Sequence, residues 1–183
     1  MPRAGLDSRQ VVEAAAELID REGIEALSLS ALAQRLGVKS PSLYVHVAGL
    51  DDLRQRMAVL AAQQLGDALA PAAAGLSRGA ALAAFGHVYR AWALEHPGLY
   101  RLIEGTGPGG EPAVRRVLEL LFAVLRGYGL DGDATIHAAR SVRAAVHGFV
   151  HLEAATGFGI PVDPEVSFDW MLGMLDRGLA GVC

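Results

Sequence analysis

The sequence predicts an all-α protein of about nine helices, on three observations. Apolar residues fill 52% of the 183 positions, ample for a real core. Alanine is abundant while β-branched and aromatic residues are sparse, a balance that favours helix over sheet. Apolar positions recur with helical spacing in segment after segment, and no stretch is a convincing strand.

Taken in order, the first helix covers about residues 8–22, with Val11, Ala15, Leu18 and Ile19 on one face and Gly23 as its stop. Residues 28–52 carry the densest signals. Leu29, Leu32, Ala33 and Leu36 form one apolar stripe, Ser28 is a natural N-cap, and Gly37 ends the helix as a left-handed C-cap. Ser40 and Pro41 then restart a helix reaching about residue 48, with proline where a missing N–H costs nothing. Leu43 and Val47 face back onto the preceding helix. Ser42, Tyr44 and His46 are left on the outer side, with Lys39 and Ser40 at the entrance. Helix, short turn with glycine, helix with a polar outer face: this is the build of a DNA-binding helix-turn-helix.

Beyond it, Asp51 and Asp52 fall in the first turn of a longer helix over about residues 50–70, where the helix dipole favours negative charge. A small-residue break over 71–75 precedes a helix over 77–95, for which Ser77 is the expected cap. A short helix follows over 99–103. Residues 105–110, with Pro108, form a loop but not a phosphate-cradling one, since no strand precedes it and no Gly-Lys-Ser/Thr ends it. Another helix covers 112–126. Asp133 is the expected cap of a helix reaching about residue 156, and Asp163 with Pro164 opens the last one, to about 179. Ala138, Ala139, Ala144 and Ala145 would let neighbours approach closely, so the helices over about 133–156 and 164–179 suit a two-fold four-helix interface. A plain intramolecular core is the alternative.

The net charge of −4 argues against a general nucleic-acid binder, but the charge is unevenly spread. Between residues 26 and 50 stand Arg35 and Lys39 and no acid, while Arg3 and Arg9 could touch phosphate or simply be solvated. The single cysteine, Cys183, cannot close an internal disulfide. No run is long enough to span a membrane and the N-terminus lacks a signal-peptide core, so a cytoplasmic protein with no membrane partner is expected. No catalytic set is recognisable, and an enzyme is not expected. His147 and His151 have metal-chelating i, i+4 spacing but no third ligand nearby in sequence, so neither a metal nor a cofactor is expected. On the residues alone, a helical enzyme or metal protein and a helical adaptor remain as other classes.

Leu32-Ala33-Gln34-Arg35-Leu36-Gly37-Val38 and Leu43-Tyr44-Val45-His46, at their spacing, resemble the signature of the tetracycline-repressor (TetR) family of bacterial transcriptional regulators over about residues 8–57. His96-Pro97-Gly98-Leu99-Tyr100 and the stretch around His147-Gly148 resemble a C-terminal subfamily with a Trp-His-Gly-like element, Val146 standing where that Trp would be. The resemblance implies a helix-turn-helix domain over 1–49 and a helical ligand-binding and dimerisation domain over 50–183. It implies a repressor that binds a palindromic operator in double-stranded DNA as a homodimer and is released by a small apolar or aromatic ligand. Ser28, Lys39, Ser40, Ser42, Tyr44 and His46 would then meet DNA. Phe85, Tyr89, Trp92, Tyr100, Phe122 and His147 would surround the ligand, although an aromatic stripe at this spacing is more often core than pocket. Leu50 is a departure, because many members carry Lys there.

Overall fold

The computed structural model describes residues 6–104 and 112–182. Arg3, Cys183 and the loop expected over 105–110 lie outside the described residues. Those residues form eight α-helices and two 3-10 helices and no strand, and none of the helices is long and apolar enough to cross a membrane. The chain divides into two compact units. Unit 1 takes residues 1–63 and 95–114, and unit 2 takes residues 64–94 and 115–183.

Unit 1 begins with α1 (Ser8–Glu22), started by a reciprocal capping box between Asp7 and Gln10. A 3-10 turn (Ile24–Ala26) leads into α2 (Leu29–Leu36), where Ser28 Oγ accepts from Ala31 N at 3.1 Å. Gly37 closes α2 at φ 67°, a conformation that a side chain would strain. The next segment differs from expectation. Instead of an α-helix to residue 48 there is a 3-10 helix (Ser40–Val45), with Ser42 N bonded to Lys39 O and His46 N to Leu43 O, both at 2.9 Å. Pro41 removes a donor from a segment only six residues long, and such short runs settle into the tighter i→i+3 pattern. Leu32, Leu43, Leu53 and Met57 are buried in this unit's core with Val11, Ala15 and Ile19.

The long helix α3 (Leu50–Ala72) starts in unit 1, where Asp52 bonds Arg56 Nε and Ala48 N. Arg56 first, and then the Ala48 N–H, hold this carboxylate below its ordinary range. The helix runs through Pro71 rather than stopping before it. A proline one residue from the end disturbs little, and Ala74 N→Pro71 O then tightens the exit.

Unit 1 is completed by α5 (Pro97–Glu104), which packs on α1. Asp20 Oδ1 accepts from Gly98 N and Leu99 N, each at 3.0 Å, while Asp20 Oδ2 lies 2.9 Å from His96 Nδ1. Orphan N–H groups at the start of α5 are thus satisfied by a residue of α1. The backbones meet so closely that a Cβ on Gly98 would drive into the Ile19 carbonyl.

Unit 2 contains nearly all of α4 (Arg78–Glu95), most of α6 (Pro112–Arg126), and α7 (Gly132–Ala154) and α8 (Pro164–Ala180). Asp131, not Asp133, occupies the N-cap position of α7, because Gly132 is already helical and Asp133 belongs to the first turn. Phe85, Trp92, Leu125, Val142, Phe168 and Leu172 fill the core. Arg90 makes two bonds to Glu153, at 2.7 and 2.6 Å, a further one to Glu165, and stacks over Phe168 at 5.2 Å. The Glu153 bonds above all keep this guanidinium charged, raising it further against the opposing cost of burial. Tyr128 donates to Asp176 at 2.7 Å, and burial first and then that carboxylate push its phenol up.

Several large apolar side chains of α7 and α8 are exposed: Trp170 at 66%, and Val166, Met174 and Ile136. A groove of about 550 Å³ on α7 and α8 is lined by Leu130, Ala138, Met171, Met174, Leu175 and Leu179, among others.

Gly98→Ala should lower the unfolding free energy by about 1–3 kcal/mol in urea denaturation, the range for overpacking a tight contact. A change of only a few tenths would mean that α1 and α5 separate without cost.

Candidate nucleic-acid interface

The residues expected to meet DNA fall on two short pieces of unit 1. Ser28 is the half-buried N-cap of α2, its hydroxyl taken up by Ala31 N and 3.1 Å from Ser30 Oγ. Lys39, Ser40, Ser42, Tyr44 and His46 are gathered on and beside the 3-10 helix. Lys39 and Ser42 are exposed there, Tyr44 is 61% exposed, and Ser40 and His46 are half-buried. The His46 carbonyl accepts from Ser8 Oγ at 3.3 Å, which ties the end of this segment to the start of α1. Leu43, fully buried, holds the segment on α2 while its other side stays in solvent.

The most exposed large apolar side chain among the described residues is Val45, at 83%. Sequence reasoning passed over it by counting only polar residues on the outer side. The signal was available, since two residues on from the buried Leu43 a helical chain has turned to the opposite face. A β-branched apolar group there has the chemistry to meet a thymine methyl in the major groove.

Electrostatically the interface is poorer than the sequence suggested. Arg35 donates to Glu17 of α1 at 2.9 Å, so half of the expected positive charge is neutralised by an acid 18 residues away. Arg9 is bound to Glu13 at 2.6 Å, Arg54 to Asp51 and Arg56 to Asp52. Lys39 makes no ion pair among the described residues. Leu50, the first residue of α3, is half-buried.

The residues expected around a ligand separate into two groups. Phe85, Tyr89 and Trp92 are buried on α4, with the Phe85 and Tyr89 rings stacked at 6.2 Å. Tyr89 Oη lies 2.9 Å from His147 Nε2 on α7, and that nitrogen also accepts from Arg143 Nε at 3.3 Å. Phe122 is half-buried on α6 of the same unit. Tyr100 is buried on α5, which belongs to unit 1.

An N-capped helix, a left-handed glycine turn and a buried leucine presenting a short polar segment define a helix-turn-helix DNA-binding protein. Comparison with known proteins carries this to a family. Residues 11–57 match the family described as bacterial regulatory proteins, tetR family, and residues 82–175 match the tetracyclin repressor-like C-terminal domain. An HTH-type transcriptional regulator of Mycobacterium tuberculosis, itself uncharacterised, is 36% identical over 181 residues, covering 96% of this chain and 83% of its own length. Among solved structures, BioQ with its double-stranded DNA operator superposes with TM-score 0.74 at 25% identity, covering 96% of this chain and 99% of that one. A Gln-to-Ala variant of TetR from Acinetobacter baumannii AYE in complex with minocycline superposes with TM-score 0.76 at 25% identity, over 97% of this chain and 98% of that one. The chain belongs to the TetR family of DNA-binding bacterial transcriptional regulators.

Glu17→Gln should release Arg35 toward phosphate. In fluorescence-anisotropy titrations DNA affinity should rise, and the slope of log K against log salt should steepen by up to about 0.9 for each site. An unchanged slope would show that Arg35 serves only the α1–α2 contact.

Proposed function

We propose that the protein is a repressor that binds a palindromic operator as a homodimer and leaves it when a small apolar or aromatic ligand binds the C-terminal helices. The observation that carries this reading is the segment Ser40–Val45, whose exposed Ser42, Tyr44 and Val45 follow an exposed Lys39 on a TetR-family chain. In this reading residues 1–49 are the reading head, and residues 50–183 bind ligand and dimerise, with the helix over about 50–70 linking the two. Ser28, Lys39, Ser40, Ser42, Tyr44 and His46 contact the operator, and Tyr44 positions the head through phosphate.

A single copy carries little positive charge toward DNA, so affinity must come from pairing two heads on successive major grooves. The dimer forms through α7 and α8, where the exposed Trp170, Val166 and Met174 and the apolar groove favour burial against a second copy. Phe85, Tyr89, Trp92, Phe122 and His147, all of unit 2, form the ligand site. The contact between Tyr89 and His147, with Arg143 on the same ring nitrogen, offers polar groups beside the stacked Phe85 ring. A coupling of about 1–3 kcal/mol between ligand and DNA suffices to change operator affinity about 5- to 150-fold. Family membership favours regulation over catalysis, and the reading requires no cofactor.

The deciding experiment is an anisotropy titration of the full chain against the promoter DNA flanking its own gene. Salt-sensitive, sequence-specific binding by a dimer is expected, and no preference over random DNA at modest salt would refute the reading. Within that operator, Val45→Ala should cost about 1–2 kcal/mol, the worth of one or two buried methyl groups. Replacing the contacted thymine with deoxyuridine should weaken the wild-type complex and leave the variant complex unaffected. If thymine and deoxyuridine bind equally at every position, Val45 reads no base.

A further inference from the structure

We infer that His87 of α4 and Glu165 and Asp169 of α8 form a site for one divalent transition-metal ion in unit 2. His87 Nε2 lies 2.8 Å from Asp169 Oδ1, and His87 Nδ1 lies 3.4 Å from Glu165 Oε1. A neutral imidazole has one N–H, so only one of these contacts is a hydrogen bond. The other sets a nitrogen lone pair against a carboxylate oxygen. An ion on Nε2 beside Asp169 removes that conflict, because the ring proton then rests on Nδ1 and faces Glu165.

The ligand atoms lie within 4.8 Å of one another. Both carboxylates are exposed and free to rotate, as they must to reach the ~2.0–2.2 Å that carboxylate ligands take, Glu165 leaving Nδ1 to do so. Glu165 and Asp169 are one turn apart and share a face of α8. The His87 ring is already oriented, standing edge-on to the fully buried Phe168 at 5.4 Å and 69°.

Charge favours a divalent ion over a proton. Glu153 and Glu165 both bond the Arg90 guanidinium, and Asp169 lies against His87, so three carboxylates here accompany one guanidinium. With a neutral imidazole the group has two negative charges in excess, which a proton halves and a divalent ion offsets. Arg90 does not block the site, because its two bonds to the half-buried Glu153 remain when Glu165 turns to the metal. One imidazole with carboxylates suits zinc, manganese, iron(II), cobalt or nickel, not the thiolate-seeking copper(I) or the all-oxygen sites of calcium and magnesium. A bound ion would fasten the N-terminal half of α8 to α4.

The test is calorimetric titration of the chelator-treated full chain with Zn²⁺ and, separately, Mn²⁺ at about pH 7.5. One equivalent per chain and a raised melting temperature are expected, with weaker binding at about pH 5.5, where protons compete with the metal for its ligands. His87→Gln and Asp169→Asn, changes at partly or fully exposed side chains, should each weaken binding by at least about tenfold. His151→Gln, which breaks the histidine pair on α7, should leave it unchanged. Absence of saturable binding in the wild type, or undiminished binding in His87→Gln, overturns the site and leaves the DNA-binding reading standing.

Discussion

Unit 1 depends on one close contact, the first turn of α5 lying on the last turn of α1. Asp20 of α1 bonds this turn, serving two backbone N–H groups and the His96 ring at once. Bonds to an ionised carboxylate are stronger than neutral ones, and the pair is half-shielded from water. The absence of a side chain at Gly98 lets the two backbones meet. The contact has a topological consequence. The chain leaves unit 1 within α3 and returns at residue 95, so the helix-turn-helix core is closed by a helix whose sequence neighbours, α4 and α6, lie mostly in the other unit. The chain therefore crosses between the units three times, within α3, at residues 94–95 and at residues 114–115.

In unit 2 the comparable polar anchor is Arg90. A guanidinium this well covered requires partners, and it takes one carboxylate from α7, one from α8 and the face of Phe168. Burial of Phe85, Val142 and Leu172 supplies the non-directional part of the packing. Arg90 adds direction, because a planar fork accepts its carboxylates at only a few angles. Tyr128 and Asp176 do the same near the other end of α8.

The candidate interface with DNA is built economically. The 3-10 helix is too short to be stable alone and is held by the buried Leu43 and Val47, so its outer residues are positioned by packing rather than by helix propensity. With Arg35 turned to Glu17, few cations face outward, and the proposed pairing of two copies matters correspondingly more.

Local signals were legible in the sequence wherever neighbours in the chain decide the outcome. Ser28 capping α2, Gly37 in the left-handed region, Pro164 after the Asp163 cap, and the stripe that buries Leu32 and Leu43 all follow from residues within one or two turns of each other. The outer face of the reading segment was legible for the same reason, apart from Val45. Tertiary structure decided what depends on partners distant in the chain. It turned Arg35 onto Glu17, placed Tyr100 and α5 in unit 1, gathered Arg90 with Glu153 and Glu165, and left Trp170 and Val166 in solvent. Periodicity reports that a residue lies on an apolar stripe, but not whether that stripe meets its own chain or none. Local composition reports charge, but not which opposite charge the fold brings within reach.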